Sequence, residues 1–373
     1  MPYILVFAFS SICSYLSDLL DRRGIRLISV FFSIIALLIV SIFAGYRNNN
    51  IGTDMQLYGD FVFNNAHNFS SFSRFYNYSI GVFKLEPGYM LINYLVALFT
   101  NVPAHFYLVC SLITNTLFYC SFKLLKNQLK PTLAWVSYLF LFYGTTFNII
   151  RQSLALSLFS FGICLIIRNR NKTGILCTLS SYLFHSSGLL ISLVILITYY
   201  YIKNTSNIKI RFKYLIFISV IGCVFFVPMM TQLMKLGVIP SRYSVYFLGY
   251  IEGTGLSLPS ILFKGILGLV FIWQYPNIVR NKRLFLFYLL MFIWDFLFYQ
   301  LRSVNIVFSR ISFYCFMIQF ISIPSIIFVM KNRFDKNFLT IFYLIFLLFT
   351  WYYQIVISGN NEIYPYHSDV LGI

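Results

Sequence analysis

Eleven long apolar runs, separated by short clusters of Lys and Arg, extend along most of this chain. They cover residues 4–20, 27–45, 105–122, 132–147, 152–167, 174–201, 214–234, 260–279, 284–301, 310–330 and 338–357. Such runs cross a hydrocarbon core about 30 Å thick as helices, because a helix satisfies its own backbone groups in lipid. The alternating strand pattern of an outer-membrane barrel is absent. We therefore predict an all-α polytopic membrane protein, a single domain over residues 1–373, with about 10–12 transmembrane helices plus re-entrant half-helices.

Composition agrees with this class. The chain is 59% hydrophobic and 10% charged, with a mean hydropathy of +0.79, which is more apolar surface than a soluble fold of this length buries. The seven cysteines, at positions 13, 110, 120, 164, 177, 223 and 315, lie in apolar runs with neither CxxC spacing nor a nearby His. The sequence therefore predicts neither a disulfide framework nor a metal site.

The basic clusters predict the orientation. Nineteen of the 28 Lys and Arg fall in six clusters: Arg22, Arg23 and Arg26; Lys123, Lys126 and Lys130; Arg168, Arg170 and Lys172; Lys203, Lys209, Arg211 and Lys213; Arg280, Lys282 and Arg283; Lys331, Arg333 and Lys336. Short loops rich in Lys and Arg stay in the cytoplasm, so we predict both termini outside it. The net charge of +18 is accounted for by these topology signals, and no nucleic-acid partner is predicted.

Two segments do not fit simple counting of spans. Residues 88–100 form an apolar run of 13 residues, too short to cross. Residues 174–201 have basic clusters at both ends, which predicts a hairpin of two half-helices turning near His185–Gly188. Irregular backbone at membrane depth is tolerated where it lines a wet cavity. We expect such a cavity on the outer face, covered by the outer loops 46–86 and 235–259.

Five arginines are expected on that outer face. They are Arg47, Arg151, Arg242, Arg302 and Arg310. Arg151 lies between two uncharged apolar runs, where a guanidinium costs a few kcal/mol unless an anion or a wet cavity meets it. Snorkelling to the headgroups is the alternative for Arg151 taken alone. Clustered arginines repel one another without an anion, so we predict a lipid phosphate or a lipid-linked pyrophosphate as their ligand.

Glycosyl transfer from such a pyrophosphate needs a group that accepts a proton from the acceptor hydroxyl. His185 is the first candidate, because an imidazole titrates near neutral pH, and Glu86 and Asp54 are the others. Each has a structural alternative: a turn contact for His185, a helix-start charge for Glu86 and a turn residue for Asp54. Asp295 is interpreted as a structural partner of Arg302 or a polar neighbour. The chain has no DxD-like carboxylate pair, which favours chemistry without a metal or another cofactor.

A succession of short motifs resembles the EpsG family of bacterial exopolysaccharide proteins. The motifs are Gly45-Tyr46-Arg47, Gly52-Thr53-Asp54 and Tyr58, Glu86-Pro87-Gly88-Tyr89, Arg151-Gln152-Ser153-Leu154-Ala155, Phe184-His185-Ser186-Ser187, and Ser241-Arg242-Tyr243. The family resembles a branch of the Wzy-type O-antigen and capsule polymerases, which implies a GT-C-like multi-helix architecture.

The resemblance also implies an activity and its participants. It implies transfer of a growing glycan from undecaprenyl pyrophosphate to a lipid-linked repeat unit at the outer face of the bacterial plasma membrane. It implies a repeat-unit flippase and a chain-length regulator as partners. The family's charged positions fall on Arg47, Asp54, Glu86, Arg151, His185 and Arg242, with Gln152 and Tyr243 beside two of the arginines and Arg302 and Arg310 as further matches.

Two other functions fit a chain of this kind. A membrane acyltransferase that modifies surface sugars would carry an intramembrane His and Arg, but near the inner face, where its acyl donor arrives. A lipid-linked oligosaccharide flippase or transporter would show internal repeats and charges through the membrane depth. No repeat is evident here, and Asp295, within the apolar run 284–301, is thin support for charges through the membrane depth.

Overall fold

The computed structural model describes residues 2–52, 55–83, 85–205, 258–274, 282–303, 305 and 307–373, together with seven isolated positions between 214 and 232. Within these residues every regular element is helical. Asp54, Arg242 and Tyr243 lie outside the described residues, as do most of the apolar run 214–234 and of the outer loop 235–259.

Fifteen α-helices follow one another in the described residues. They are α1 (Pro2–Arg22), α2 (Arg26–Gly45), α3 (Phe61–Ala66), α4 (Phe72–Val82), α5 (Pro87–Ala97), α6 (Pro103–Leu124), α7 (Pro131–Leu141), α8 (Ile150–Ile167), α9 (Asn171–Ser180), α10 (Ser187–Asn204), α11 (Leu258–Gln274), α12 (Lys282–Leu301), α13 (Val307–Phe316), α14 (Gln319–Val329) and α15 (Arg333–Trp351). Single π-helical turns lie at Met55–Asp60 and Tyr352–Ile357, and short 3₁₀ turns at Tyr143–Phe147, Ser181–Leu183 and Asn360–Glu362.

The predicted class, an all-α polytopic membrane protein, is confirmed. Seven helical segments of the described residues are long and apolar enough to cross a membrane: Pro2–Arg22, Arg26–Gly45, Ile150–Ile167, Ser187–Asn204, Arg283–Leu301, Phe308–Val329 and Arg333–Ile357. The helices α7 and α11 are apolar but shorter. The expected total of about 10–12 transmembrane helices stays a prediction, as does the GT-C-like architecture.

Proline and small polar residues mark several helix starts. Pro87, Pro103 and Pro131 open α5, α6 and α7, where the missing N–H costs nothing and the proline ring presets φ for the helix. The side chains of Ser71 and Asn332 cap α4 and α15 by accepting a hydrogen bond from a backbone N–H of the first turn. Local sequence therefore positions the helix starts before any tertiary contact is considered.

Both irregular segments predicted from the sequence are present. The helix α5 has 11 residues, too few to cross a membrane. The segment 174–201 is broken by a 3₁₀ turn and an irregular link between α9, with 10 residues, and α10, with 18. The second arm differs from the predicted half-helix, because α10 continues to Asn204 and is long enough to span.

Two glycines bring α9 back along α8. A Cβ on Gly162 would lie 2.7 Å from the carbonyl oxygen of Gly174, and a Cβ on Gly174 would lie 2.8 Å from the carbonyl oxygen of Gly162. Backbones approach this closely only where neither residue carries a side chain, a packing mode common between membrane helices. The helix α9, the first arm of the predicted hairpin, is thus anchored to α8.

The chain divides into two compact units, the first formed by Met1–Leu189 and Ile327–Ile373 and the second by Leu190–Ile326. One end of the first unit collects charged side chains. Lys123 Nζ lies 2.5 Å from Asp18 Oδ1, and Lys126 Nζ lies 2.6 Å from Asp21 Oδ2. Lys336 lies within electrostatic reach of the first two basic clusters. Three of the six predicted cytoplasmic clusters therefore share this end.

The other end of the first unit holds both ends of the chain. The hydroxyl of Tyr3 donates to Ile363 O at 2.8 Å, and that of Tyr366 donates to Phe43 O at 2.7 Å. The ring of Tyr366 also stacks on Phe43 with centroids 3.8 Å apart. Both termini therefore lie at the same end of this unit, and their position outside the cytoplasm stays a prediction.

The predicted outer loop 46–86 is folded into short helices. It contains the Met55–Asp60 turn, α3 and α4. Its buried side chains, among them Met55, Phe63 and Phe75, pack in one cluster with Tyr89 of α5 and Phe106 of α6. This packing fixes the start of α5, where the first candidate site residue lies.

Candidate functional site

Glu86 immediately precedes α5 and binds two other parts of the chain. Its backbone is extended, and Pro87 begins the helix behind it. The carboxylate accepts a hydrogen bond from Arg151 Nη1 at 2.9 Å through Oε2 and one from the Ser186 backbone N–H at 3.0 Å through Oε1. Glu86, one of the predicted site residues, therefore connects the start of α8 with the turn between α9 and α10.

Arg151 lies in the first turn of α8, after the 3₁₀ turn Tyr143–Phe147 has ended the preceding segment. Its side chain is 20% exposed and that of Glu86 is 11% exposed. An ion pair shielded to this degree is stronger than one at a fully solvated surface, because water screens it less. Gln152, the next residue, is buried in α8.

His185 lies in the hairpin turn beside Ser186. Its Nδ1 is 2.7 Å from the hydroxyl oxygen of Ser187, a contact that orients the imidazole ring. The start of α5 packs closely on the same turn, since a Cβ on Gly88 would lie 2.7 Å from Leu183 O. The structure thus brings the Glu86, Arg151 and His185 motifs together, although they are far apart in the sequence.

Arg47 follows α2 and is 5% exposed. Its Nε donates to Ile51 O at 3.2 Å, Nη2 donates to Phe147 O at 3.2 Å, and Nη1 donates to Ala44 O. Its guanidinium also lies over the rings of Tyr107 and Phe147, 5.2 and 4.4 Å from their centroids. Burial lowers the pKa of Arg47, yet a guanidinium remains charged at neutral pH.

A small cavity opens beside Arg47. It has room for one or two water molecules. The lining residues are Ala44, Arg47, Tyr107, Cys110, Ser111, Thr114, Thr146, Phe147, Ile150 and Ser153. Ser153 is 1% exposed, and its hydroxyl has no hydrogen-bond partner among the described residues. The cavity therefore combines the buried Arg47 cation with several hydroxyl groups, of which that of Ser153 is two residues from Arg151.

Gly52, a glycine of the first motif group, brings the Arg47 segment against the start of α8. Its φ of +95° is in the left-handed region that favours glycine. A Cβ at this position would lie 2.6 Å from Asn148 Oδ1. Both the conformation and the contact require the absence of a side chain.

Sequence reasoning overlooked a second polar contact at this end of α6. The Tyr107 hydroxyl donates to Asp60 Oδ1 at 2.5 Å and also contacts Met55 O at 3.1 Å. Tyr107, whose ring faces the Arg47 guanidinium, is therefore hydrogen-bonded to Asp60 of the segment 46–86. No sequence signal distinguished Tyr107 among 29 tyrosines, whereas Gly59 marks the contact in retrospect: a Cβ there would lie 2.0 Å from the Tyr107 hydroxyl.

Arg302 and Arg310 belong to the second unit. Arg302 Nη1 donates to the hydroxyl of Tyr299 at 2.8 Å. Arg310 lies half-buried in α13. Asp295 pairs with Lys264, whose Nζ is 2.5 Å from Oδ2, so the expected Asp295–Arg302 pair is wrong. The alternative expectation, a polar neighbour, is met by Gln319, whose side-chain amide donates to Asp295 Oδ2. Lys264 could have been found from the sequence, because it is the one charge in the run 260–279.

Within the described residues, no three His, Cys, Asp or Glu side chains gather in a way that would hold a metal ion. The prediction of metal-free chemistry rests on the sequence. The described cysteines are free thiols, buried or half-buried in the helices.

The comparison with protein families identifies the relationship. The EpsG family model matches residues 30–368, nearly the whole chain and all of the candidate residues. The chain belongs to the EpsG family. Neither the curated proteins nor the solved structures contain a match. Membership in the EpsG family supports a membrane polysaccharide polymerase-type role and, at that level, a glycosyltransferase-like enzyme acting on a lipid-linked sugar.

Proposed function

We propose that this EpsG-family protein polymerises a polysaccharide by transferring a growing glycan from undecaprenyl pyrophosphate to a lipid-linked repeat unit. The reaction takes place at the outer face of the bacterial plasma membrane. A repeat-unit flippase supplies the substrate, and a chain-length regulator acts on the product. Family membership supports the polymerase class, and the sequence motifs support the lipid pyrophosphate.

One observation carries the proposal. Three motifs that the sequence singled out for pyrophosphate chemistry meet through the Glu86 carboxylate, which accepts from Arg151 at 2.9 Å and from Ser186 N at 3.0 Å. An arginine fork matches phosphate oxygens, and a carboxylate behind it fixes its orientation. This arrangement favours an anion site at the start of α8.

The proposed reaction is a displacement at the anomeric carbon of the growing glycan. The hydroxyl oxygen of the acceptor sugar forms the new glycosidic bond, while the bond to the pyrophosphate oxygen breaks and its electron pair leaves with the pyrophosphate. Arg47 and Arg151, with Gln152 beside them, stabilise the negative charge that develops on the leaving group. Arg242, Tyr243, Arg302 and Arg310 are further proposed ligands of pyrophosphate and sugar.

We assign to His185 the role of general base, which accepts the proton of the acceptor hydroxyl. Both carboxylate oxygens of Glu86 already accept hydrogen bonds, one from Arg151 and one from the Ser186 N–H, so Glu86 is engaged in holding these two segments. The Nδ1 atom of His185 instead contacts the hydroxyl of Ser187. A hydroxyl can either donate or accept a hydrogen bond, so this contact orients the imidazole ring in both its neutral and its protonated form. Asp54 and Glu86 are the alternatives for this role.

A deletion strain tests the function. Without this protein we expect lipid-linked single repeat units to accumulate on the outer side of the membrane, because polymerisation follows export. Chemical analysis of the lipid-linked glycans, before and after treatment of intact cells with an impermeant glycosidase, measures the side. Accumulation on the inner side would instead identify a flippase, and loss of acyl groups with chain length preserved would identify an acyltransferase.

A further inference from the structure

The second unit contains a row of polar side chains along one face of α12. Asp295, Tyr299 and Arg302 follow at intervals of four and three residues, so they lie one above another on the helix surface. Asp295 is in the interior of the helix and Arg302 is just past its end. The row therefore runs from membrane depth toward the helix terminus.

The deep end of the row is an ion pair between two helices. Lys264 of α11 and Asp295 of α12 are 12% and 1% exposed, with Nζ 2.5 Å from Oδ2. The side-chain amide of Gln319 in α14 donates to the same carboxylate oxygen. Charged side chains at such positions are expensive, and their retention in a spanning segment points to a function.

Tyr299 connects this pair to Arg302. Lys264 Nζ lies 4.5 Å from the centroid of the Tyr299 ring, and Arg302 Cζ lies 4.5 Å from the same centroid. The Tyr299 hydroxyl accepts a hydrogen bond from Arg302 Nη1 at 2.8 Å. Lys264 and Arg302 are close enough to repel each other, and Asp295 reduces this repulsion by neutralising Lys264.

This arrangement orients Arg302 while leaving one donor unused. Its Nε is buried and has no hydrogen-bond partner among the described residues. A buried N–H of a guanidinium is costly to leave unpaired, so its presence calls for an acceptor. Phosphate oxygens are the acceptors that an arginine fork fits best.

We propose that Lys264, Asp295 and Tyr299 are positioning residues that hold Arg302 ready to bind a pyrophosphate oxygen of a lipid-linked substrate. Tyr299 fixes the guanidinium by its hydroxyl and ring, and the ion pair fixes Tyr299. This inference rests on the proposed function, because it takes the lipid pyrophosphate as the ligand.

A double-mutant cycle tests the proposal on the full-length protein in nanodiscs. The measured quantity is the Kd of undecaprenyl pyrophosphate for the wild type, Tyr299→Phe, Arg302→Gln and the double variant. Tyr299→Phe keeps the ring and removes the hydroxyl, so we expect binding about tenfold weaker. The double variant should bind no more weakly than Arg302→Gln alone, because the hydroxyl acts only through the arginine.

Tyr343→Phe is the matched control. It also removes a buried hydroxyl, one that donates to Ser137 Oγ at 3.0 Å in the first unit, and it should leave the Kd unchanged. Wild-type affinity in Tyr299→Phe, or a further loss in the double variant beyond Arg302→Gln, would overturn the positioning role alone. Failure of the wild type to bind the probe would overturn the proposed function together with this inference.

Discussion

Arg47, which is buried, and Arg151, which is half-buried, have different electrostatic surroundings in the first unit. Arg47 donates to three neutral carbonyl oxygens, which leave its full positive charge in place. Arg151 is paired with Glu86, and the pair is neutral overall. The uncompensated charge beside the small cavity therefore comes from Arg47, and an anionic ligand there would lower the cost of burying it.

Substitutions at Arg151 separate charge from shape. We expect Arg151→Ala and Arg242→Ala each to abolish long polymer. Arg151→Lys should reduce polymerisation at least tenfold, because lysine keeps the charge but loses the planar fork. Gel profiles of surface polysaccharide, with protein levels measured in parallel, give the result. Arg74→Lys is the control, since Arg74 is exposed on α4 and should tolerate the change. Unchanged long polymer in both Arg151→Ala and Arg242→Ala would remove these two residues from the site.

His185 carries the predicted acid–base step. His185→Ala should lower the turnover of purified protein by about 10²–10⁴, the usual contribution of a positioned general base. His67→Ala provides a control, because His67 is exposed and contacts backbone carbonyls outside the hairpin turn. If His185→Ala loses only a few-fold, the role of base passes to Glu86 or Asp54.

At the scale of elements, the site depends on how two helix starts meet one turn. Helices α5 and α8 begin where Glu86 and Arg151 form their ion pair, and the hairpin turn supplies the Ser186 N–H. Positive ends of helix dipoles favour anions, so two helix starts add to the arginine's attraction for a phosphate. The breaks in the helices are thus part of the proposed binding site.

Gly88 tests this arrangement. A Cβ at Gly88 would lie 2.7 Å from Leu183 O, so Gly88→Ala should push α5 away from the hairpin turn and lower polymerisation at least tenfold. Gly81→Ala is a matched control: it also places alanine in a helix, but nothing lies within 4 Å of its Cβ. Alanine favours helices over glycine, so both variants should fold. Equal activity of the two variants would show that the close contact is dispensable.

The two ends of the first unit differ in their contacts: ion pairs lie at one end, and the two chain termini meet at the other. The Asp18–Lys123 and Asp21–Lys126 pairs lie at one end, and Tyr3 contacts the C-terminal tail at the other. A chain with an odd number of crossings would place its termini on opposite sides. Both termini share one end of this unit, and their exit on the non-cytoplasmic side of the membrane stays a prediction.

Cysteine labelling tests which side this is. A membrane-impermeant maleimide applied to intact spheroplasts should label Val370→Cys, because Val370 is exposed in the tail, and should label Asn171→Cys only after lysis. The unsubstituted chain is the control, since its described cysteines are buried or half-buried. Labelling of Asn171→Cys alone in intact spheroplasts would reverse the predicted orientation.

Much of the candidate site could be predicted from the sequence because unusual residues stand out against an apolar background. This signal indicated Arg151 between two uncharged runs, Glu86 before a proline and His185 at the predicted turn. Asp295 was found by the same signal, but its partner was misassigned. Sequence spacing favoured Arg302 on the same helix, whereas Lys264 reaches the carboxylate from another helix.

The membrane class, the family, the short helix α5 and the break between α9 and α10 can be predicted from the amino-acid sequence, because hydrophobicity, charge placement and helix-start residues act locally along the chain. The side-chain contacts become visible in the folded protein alone: Glu86 with Arg151 and Ser186, Tyr107 with Asp60, and Lys264 with Asp295. These contacts depend on helix rotation and on close backbone approach at glycines such as Gly88. Helix rotation and close backbone approach are both set by packing between segments that are distant in the sequence, and no local sequence pattern encodes such packing.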